Sequence, residues 1–216
     1  MKKDPSCLNK RVMVRFVGER GIDSGAMALE FFTLVLSDIG SVMFPNGTPV
    51  DSTFQVQNLN FKTCGQILAS SLAQGGPAPC FLDESVFNLL VEPSLKLHNI
   101  DQSKHLTETD RAFLHSVQGD LCSHTDAIID HGYTGPIDDD HAEQIIKSMI
   151  INIVSKRQLY LREFMEGLRS FGLAEIIQTH ADACRALLVK GSRARIVDAN
   201  YLFSLLEPVY SPEGSS

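Results

Sequence analysis

Residues Phe16–Phe32 read Phe-Val-Gly-Glu-Arg-Gly-Ile-Asp-Ser-Gly-Ala-Met-Ala-Leu-Glu-Phe-Phe. This stretch predicts a strand, a tight glycine turn and a helix. Upstream, Val12, Val14 and Phe16 alternate with Met13, Arg15 and Val17, the period of a half-buried strand. Gly18, Gly21 and Gly25 then punctuate the chain, where positive φ or a close backbone approach excludes a side chain. Asp23 or Ser24 offers an N-cap, a side-chain acceptor for a free N–H of the helix's first turn. Leu29, Phe32 and Leu36 share a helical face with Gly25, and Phe31 widens it. On spacing alone this suits any strand–turn–helix core unit.

The residues themselves carry more. Phe16-x-Gly18-Glu19-x-Gly21-x-Asp23-x-Gly25, closed by Glu30-Phe31-Phe32, resembles the start of the HECT ubiquitin-ligase domain. Three later segments resemble that family in the same order. Phe61-Lys62-Thr63-Cys64-Gly65, with Pro77 and Pro79 downstream, resembles its Phe-x-x-x-Gly helix and following loop. Phe164-Met165-Glu166-Gly167-Leu168 resembles its Phe-x-x-Gly-Phe/Leu helix. Leu187-Leu188, Gly191 and Ile196-Val197-Asp198 resemble the end of its larger N-terminal lobe. The resemblance spans roughly residues 10 to 210. It implies an α+β fold, mostly helical with a few short strands, like a HECT N-lobe over residues 11–207. A flexible lead-in (1–10) and a flexible tail (208–216) are expected to flank it.

HECT ligases carry ubiquitin as a thioester on a cysteine of a second, smaller lobe, within a His/Asn-Thr-Cys-Phe-like motif. The last cysteine here is Cys184, in a helical pattern, and the Thr63-Cys64 pair precedes glycine. A second lobe needs about a hundred residues. The expectation is therefore a first lobe cut from a longer ligase, or one that has lost its catalytic half, with no catalytic residue in this chain. Cys64 reads as a buried small apolar residue.

Composition narrows the classes. The chain has 216 residues, 44% hydrophobic, enough for one sizeable core or two small ones. Its formal net charge of −7 argues against a nucleic-acid-binding surface. Cys7, Cys64, Cys80, Cys122 and Cys184 are widely spaced with no Cys-x-x-Cys, which fits a reducing compartment. No apolar run reaches the ~18 residues of a membrane helix. Met1-Lys2-Lys3-Asp4 is not followed by the apolar stretch of a secretory signal. A soluble intracellular protein, in cytoplasm or nucleus, is expected.

Outward from the opening motif, residues 40–60 hold an Asn46-Gly47 turn signal between short apolar patches, so a hairpin is expected. A helix starts at Asn60 and stops at Gln74-Gly75-Gly76-Pro77. Asp83 caps a helix that runs to Val91 and ends at Pro93. Thr107 or Thr109 caps another, to Leu121. Gly132–Asp140 is a loop of breakers, and Asp138-Asp139-Asp140 opens a long helix whose dipole favours acidic residues there. Its apolar face continues through Phe164 to Phe171, and Gly172 marks a break. Leu173–Leu188 reads as one helix and Asp198–Leu206 as a short last one.

Several constellations carry potential chemistry. His124, Asp126, Asp130 and His131 form the densest metal-like cluster, but His124 and His131 are seven apart without a third convergent ligand. A solvated helix end accounts for them. Asp138-Asp139-Asp140-His141 lacks the alternating acid pattern of a calcium loop. Gly18-Glu19-Arg20-Gly21 is not followed by the Gly-Lys-Ser/Thr of a phosphate cradle. Cys80, between Pro79 and Phe81, has no placed base. No metal or cofactor is expected.

By the resemblance, a small subdomain around residues 108–146 recruits the ubiquitin-conjugating enzyme through an apolar groove. Phe113 and Val117, on the segment Ala112–Val117, and Ile145, on the helix after the acidic loop, fall on the groove positions. Residues 122–137 are shorter than the insert usual there, so the subdomain is expected to be trimmed. Three classes result: a HECT first lobe that docks a conjugating enzyme for ubiquitin transfer to a protein substrate; a catalytically dead HECT-like interaction scaffold; and an unrelated enzyme using the His/Asp cluster.

Overall fold

The computed structural model describes residues 10–15, 17–18 and 25–191. Phe16, Glu19–Ser24 and the segment from residue 192 onward lie outside them. Gly21, Asp23, the motif at Ile196-Val197-Asp198, the expected last helix, the lead-in and the tail therefore lie outside as well. Of the opening motif's turn, Gly18 and Gly25 are described, with φ of +95° and +109°. Both take the left-handed region that favours glycine. Helix α1, Ala26–Asp38, starts directly after Gly25, and no side chain caps it. Asp23 and Ser24, the expected caps, lie outside the described residues, and Gly25 stands at the N-cap. Phe32 and Leu36 are buried, as their spacing suggests, while Leu29 is half exposed.

The described residues are mostly helical and contain one β contact, a parallel bridge between Leu82 and Val189. The few short strands expected are not formed there. Residues 11–15 are irregular; the Val12 N–H donates to Gln74 Oε1 at 2.8 Å, at the end of α3 (Asn60–Ala73). The 80–82 edge is already taken by residues 187–190: Cys80 and Leu82 donate to the Leu187 and Leu188 carbonyls, and Lys190 to Leu82.

The hairpin expected over 40–60 is absent too. α1 runs into a π-turn, Ile39–Met43, because Ile39 and Met43 are four apart and both buried, so helical spacing prevails over alternation. Asn46 and Gly47 do turn the chain with positive φ, but inside a 3-10 turn closed by the Val50 N–H donating to Met43 O and tied to the rest of the fold by the Asp83 N–H donating to Gly47 O. Helix α2, Thr53–Gln57, follows, capped by Ser52.

The centre of the molecule is the crossing of α3 with α8, Ala142–Leu168. α3 brings Phe61, Cys64 and Leu68; α8 brings Tyr160, Phe164 and Leu168, all nearly inaccessible. The Phe44 ring lies 6.0 Å from Phe61 and 5.0 Å from Phe164, and Phe61 stacks on Tyr160 at 5.2 Å. The helices approach closely because glycines face each other. A Cβ on Gly65 would sit 2.2 Å from the Phe164 carbonyl oxygen, and one on Gly167 would sit 2.1 Å from that of Lys62. The glycines of two of the motifs quoted above are therefore one contact.

α4, Glu84–Val91, has the expected Asp83 cap and buries Val86, Phe87, Leu89 and Leu90 against this centre. α5 is a single turn, Gln102–His105, and α6 is Glu108–Gly119. α7, Thr125–Asp130, is short. α8 ends in a 3-10 turn, Arg169–Phe171, and Gly172 (φ +71°) supplies the expected break. Leu173–Leu188 is two helices rather than one: α9, Leu173–Thr179, and α10, Ala181–Leu188. They part at His180, where the Thr179 hydroxyl donates back to the Glu175 carbonyl, an option that loosens a helix's last turn.

Candidate functional site

A groove of about 780 Å³ lies between α6, the first half of α8 and the segment Leu97–Gln102. Its position is set by polar contacts that sequence can encode. Thr107 and Asp110 form a reciprocal capping box: the Asp110 N–H donates to Thr107 Oγ1 at 3.0 Å, and the Thr107 N–H donates to Asp110 Oδ2 at 2.8 Å. The same carboxylate takes a two-pronged bond from Arg157 of α8, at 2.6 and 2.9 Å. Burial pushes the Asp110 carboxyl upward, but the Arg157 and Thr107 hydrogen bonds outweigh it and hold its pKa below the usual value. α6 is thereby pinned to α8. Arg111 donates to the Leu106 carbonyl at 2.6 Å and closes the lead into α6.

At the other side of the groove, Asp138 opens the path into α8. It accepts from the His141 N–H at 3.1 Å and from its imidazole at 2.5 Å. The bond to His141 lowers the Asp138 pKa. The acidic run is thus a cap on a 3-10 turn, Asp139–His141, that leads into α8. The groove floor is apolar, with Leu114, Ile146 and Ile150; His115, Lys147 and Glu143 stand at its rim. An apolar floor with a mixed-charge rim suits a protein or peptide surface more than a polar metabolite.

The three residues expected to line such a groove are close by but turned differently. Val117 and Ile145 are fully buried. Phe113 is half-buried, packed against the core from the α7 side of α6. On α6 the groove is lined instead by Arg111, Leu114, His115 and Gln118, and on α8 by Ile146, Lys147 and Ile150. These positions recur at three and four residues, a single helical face. A mixed polar–apolar face one residue out of phase with the apolar one was the signal in the sequence that could have found them.

The histidine cluster also has a structural explanation. The Phe113 ring lies 6.1 Å from His124 and 5.8 Å from His131. His131 Nδ1 is 2.7 Å from the Ala127 carbonyl, to which its N–H donates. The two imidazoles pack on an aromatic ring and are half-buried, not a solvated helix end. Among the described residues no group of three or more His, Cys, Asp or Glu is placed to hold a metal ion.

Three of the four described cysteines are poorly placed as nucleophiles. Burial pushes the Cys64 thiol up to about 11 and also raises that of Cys184. Cys80 is half-buried and its thiol donates to the Leu187 carbonyl at 3.3 Å. Cys122 is exposed. Among the described residues no helix is long and apolar enough to cross a membrane.

No family model matches the chain, and no solved structure matches it. Curated relatives do. Over 178 residues, 76% of this chain, it is 28% identical to a G2/M phase-specific E3 ubiquitin-protein ligase of Gallus gallus. Over 175 residues, 74% of the chain, it is 25% identical to the protein of that name in Macaca fascicularis. Over 113 residues, 46% of the chain, it is 27% identical to the E3 ubiquitin-protein ligase UPL2 of Arabidopsis thaliana. The chain spans 24% of the length of the first two and 3% of the third. This low-identity similarity, over half to three quarters of the chain, is consistent with a HECT-related domain.

Proposed function

We propose that this chain is the N-terminal lobe of a HECT-type E3 ubiquitin ligase, and that the groove between α6 and α8 docks a ubiquitin-conjugating enzyme. The thioester cysteine is supplied by a lobe outside this chain. The observation that carries the reading is colinearity. Similarity to E3 ubiquitin ligases runs over 178 residues, and two of the family-like motifs meet at the Gly65–Gly167 crossing that builds the core. The lobe's contribution is positional: it holds a ubiquitin-charged enzyme near the acceptor cysteine and raises the effective concentration of the reacting pair. The docking unit is residues 108–146, with the groove face of α6 and α8 in contact. Phe113 stands at its edge, and Val117 and Ile145 support it from beneath.

A second reading, a catalytically dead HECT-like scaffold, is favoured by one observation. Residues 122–137 form only a short turn and α7, folded against Phe113. The docking subdomain is therefore small, and interface anchors gain most when water is excluded around them. Binding is expected to be weak, with a Kd on the order of 100 μM, about 5.5 kcal/mol. The test is a titration of labelled chain with a panel of conjugating enzymes, repeated with His115→Glu and Lys147→Glu. Both side chains are exposed, so both variants should fold. Weakening by either variant supports docking at this groove. No binding, or binding indifferent to both, removes the docking reading and leaves the scaffold.

A further inference from the structure

The opposite end of α8 carries a second recess. It is a cleft of about 400 Å³ between the C-terminal end of α4, the Pro93–Leu95 turn and the last turns of α8. Its floor is apolar, built from Leu89, Leu161 and Met165. The Pro93–Leu95 wall is fixed in place, because Gln158 Nε2 donates to the Leu95 carbonyl at 3.2 Å. Two arginines, Arg162 and Arg169, stand exposed along the rim.

These two cations are treated differently from others on the helical body. Arg157 forks onto Asp110, Arg111 bonds the Leu106 carbonyl and Arg185 pairs with Glu84. Arg162 and Arg169 have no side-chain hydrogen bond or ion pair within the described residues. Of the two acids between them, Glu166 pairs with Lys62 of α3 at 2.5 Å, and Glu163 is half-buried outside the cleft lining. In a chain of net charge −7, this leaves a local cationic rim around an apolar recess.

We infer that this cleft is a docking site for an extended acidic peptide segment of a partner protein, with two carboxylates four residues apart and an apolar side chain midway between them. The spacing follows from helix geometry. Arg162 on α8 and Arg169 at its C-cap are seven residues apart, about 10.5 Å along the axis at about 1.5 Å per residue. An extended peptide advances about 3.3 Å per residue and turns every second side chain to the same face. Acids four residues apart therefore stand about 13 Å apart on one face, within the sweep of two long arginine side chains, and the residue midway between them faces the cleft as well. Met165 lies between the two arginines, so the apolar side chain of the ligand enters between its own two acids. Guanidinium groups match carboxylates through paired, parallel N–H bonds, which gives the acids directional recognition. The buried floor rewards one apolar anchor.

The test is display selection of random octapeptides on the immobilised full chain. Selected peptides are then synthesised and their affinities measured for the wild type and for the Arg162→Glu/Arg169→Glu double variant. Both side chains are exposed, so the variant should keep its fold, checked by its melting curve. Two acids four apart with Leu, Met or Phe midway between them should be enriched. Binding should weaken about tenfold or more in the double variant, and fall with added salt as an exposed charge contact must. Failure to select any binder, selected peptides without that spacing, or undiminished binding by the double variant overturns the proposal. A concentration-dependent dimer that the double variant breaks would assign the cleft to a second copy of the chain, and overturns it equally.

Discussion

Asp110 shows how much one side chain organises here. It caps α6, receives Arg157 and is only 15% exposed. Its pKa is lower in the folded chain than in the unfolded one. Stability from this carboxylate is therefore fully present above the unfolded value, about 3.9, and is lost as pH falls through the folded value. Asp110→Asn should cost about 3 kcal/mol at pH 7, since it leaves Arg157 half-buried without its counter-charge. In urea melts at several pH values, the gap between variant and wild type should shrink below about pH 4. A gap that stays constant down to pH 2.5 would show that the charge contributes nothing. The capping half of this arrangement was legible, because Thr107 precedes the helix and an acid stands three residues on. The Arg157 half was not, because forty-seven residues of chain separate the partners. The same limit applies to Phe113. Its position on an apolar stripe was readable, but that His124 and His131 would flank it was not.

At the scale of elements, the α3–α8 crossing decides the architecture. Each helix was readable from its own period and stop signals: Gln74-Gly75-Gly76-Pro77 for α3, Gly172 beyond α8. That Gly65 and Gly167 exist to admit a neighbouring backbone emerges only when the helices are paired. Gly65→Ala and Gly167→Ala each put a methyl against a main-chain oxygen that has no side-chain freedom to retreat. Each should destabilise by about 3 kcal/mol or more. The double variant should cost less than the sum, because one methyl already parts the helices. Urea midpoints of the three variants measure this, and strict additivity would mean that the glycines do not share one contact. Elements failed to be legible where two periods competed. Ile39 and Met43 buried at helical spacing displaced the hairpin that Asn46-Gly47 signalled. Alternation at Val12 and Val14 gave no strand, since a strand needs an open neighbouring edge and residues 187–190 hold the one at 80–82. The helices α3, α4, α6 and α8 follow the sequence pattern with shifts at their ends, where caps decide the boundary, whereas the short turns at Leu97–Asn99 and Gln102–His105 had no periodic signal.

On the scale of the whole molecule, the proposed role makes this chain a platform and not a carrier of ubiquitin. Transfer of ubiquitin from a conjugating enzyme to a cysteine is a thiol exchange: the attacking thiolate forms a new thioester and the enzyme's sulfur leaves. The attacker must be deprotonated and reachable. Cys64 is neither. It is 6% exposed, and a thiol pushed up to about 11 is thiolate in fewer than about one molecule in a thousand near pH 7.5. Cys184 is buried and also raised, and the Cys80 thiol is turned onto the Leu187 carbonyl. Only Cys122 among the described cysteines is exposed. Incubation with activating enzyme, a panel of conjugating enzymes and ubiquitin should therefore give no reducible adduct on non-reducing gels. A faint adduct removed by Cys122→Ser alone, and no faster than with a free thiol of ordinary pKa, would be incidental exchange and consistent with a platform. An adduct that forms quickly and disappears on Cys64→Ser or Cys80→Ser would mean that the fold opens to expose an inner thiol, and the platform role would have to be given up.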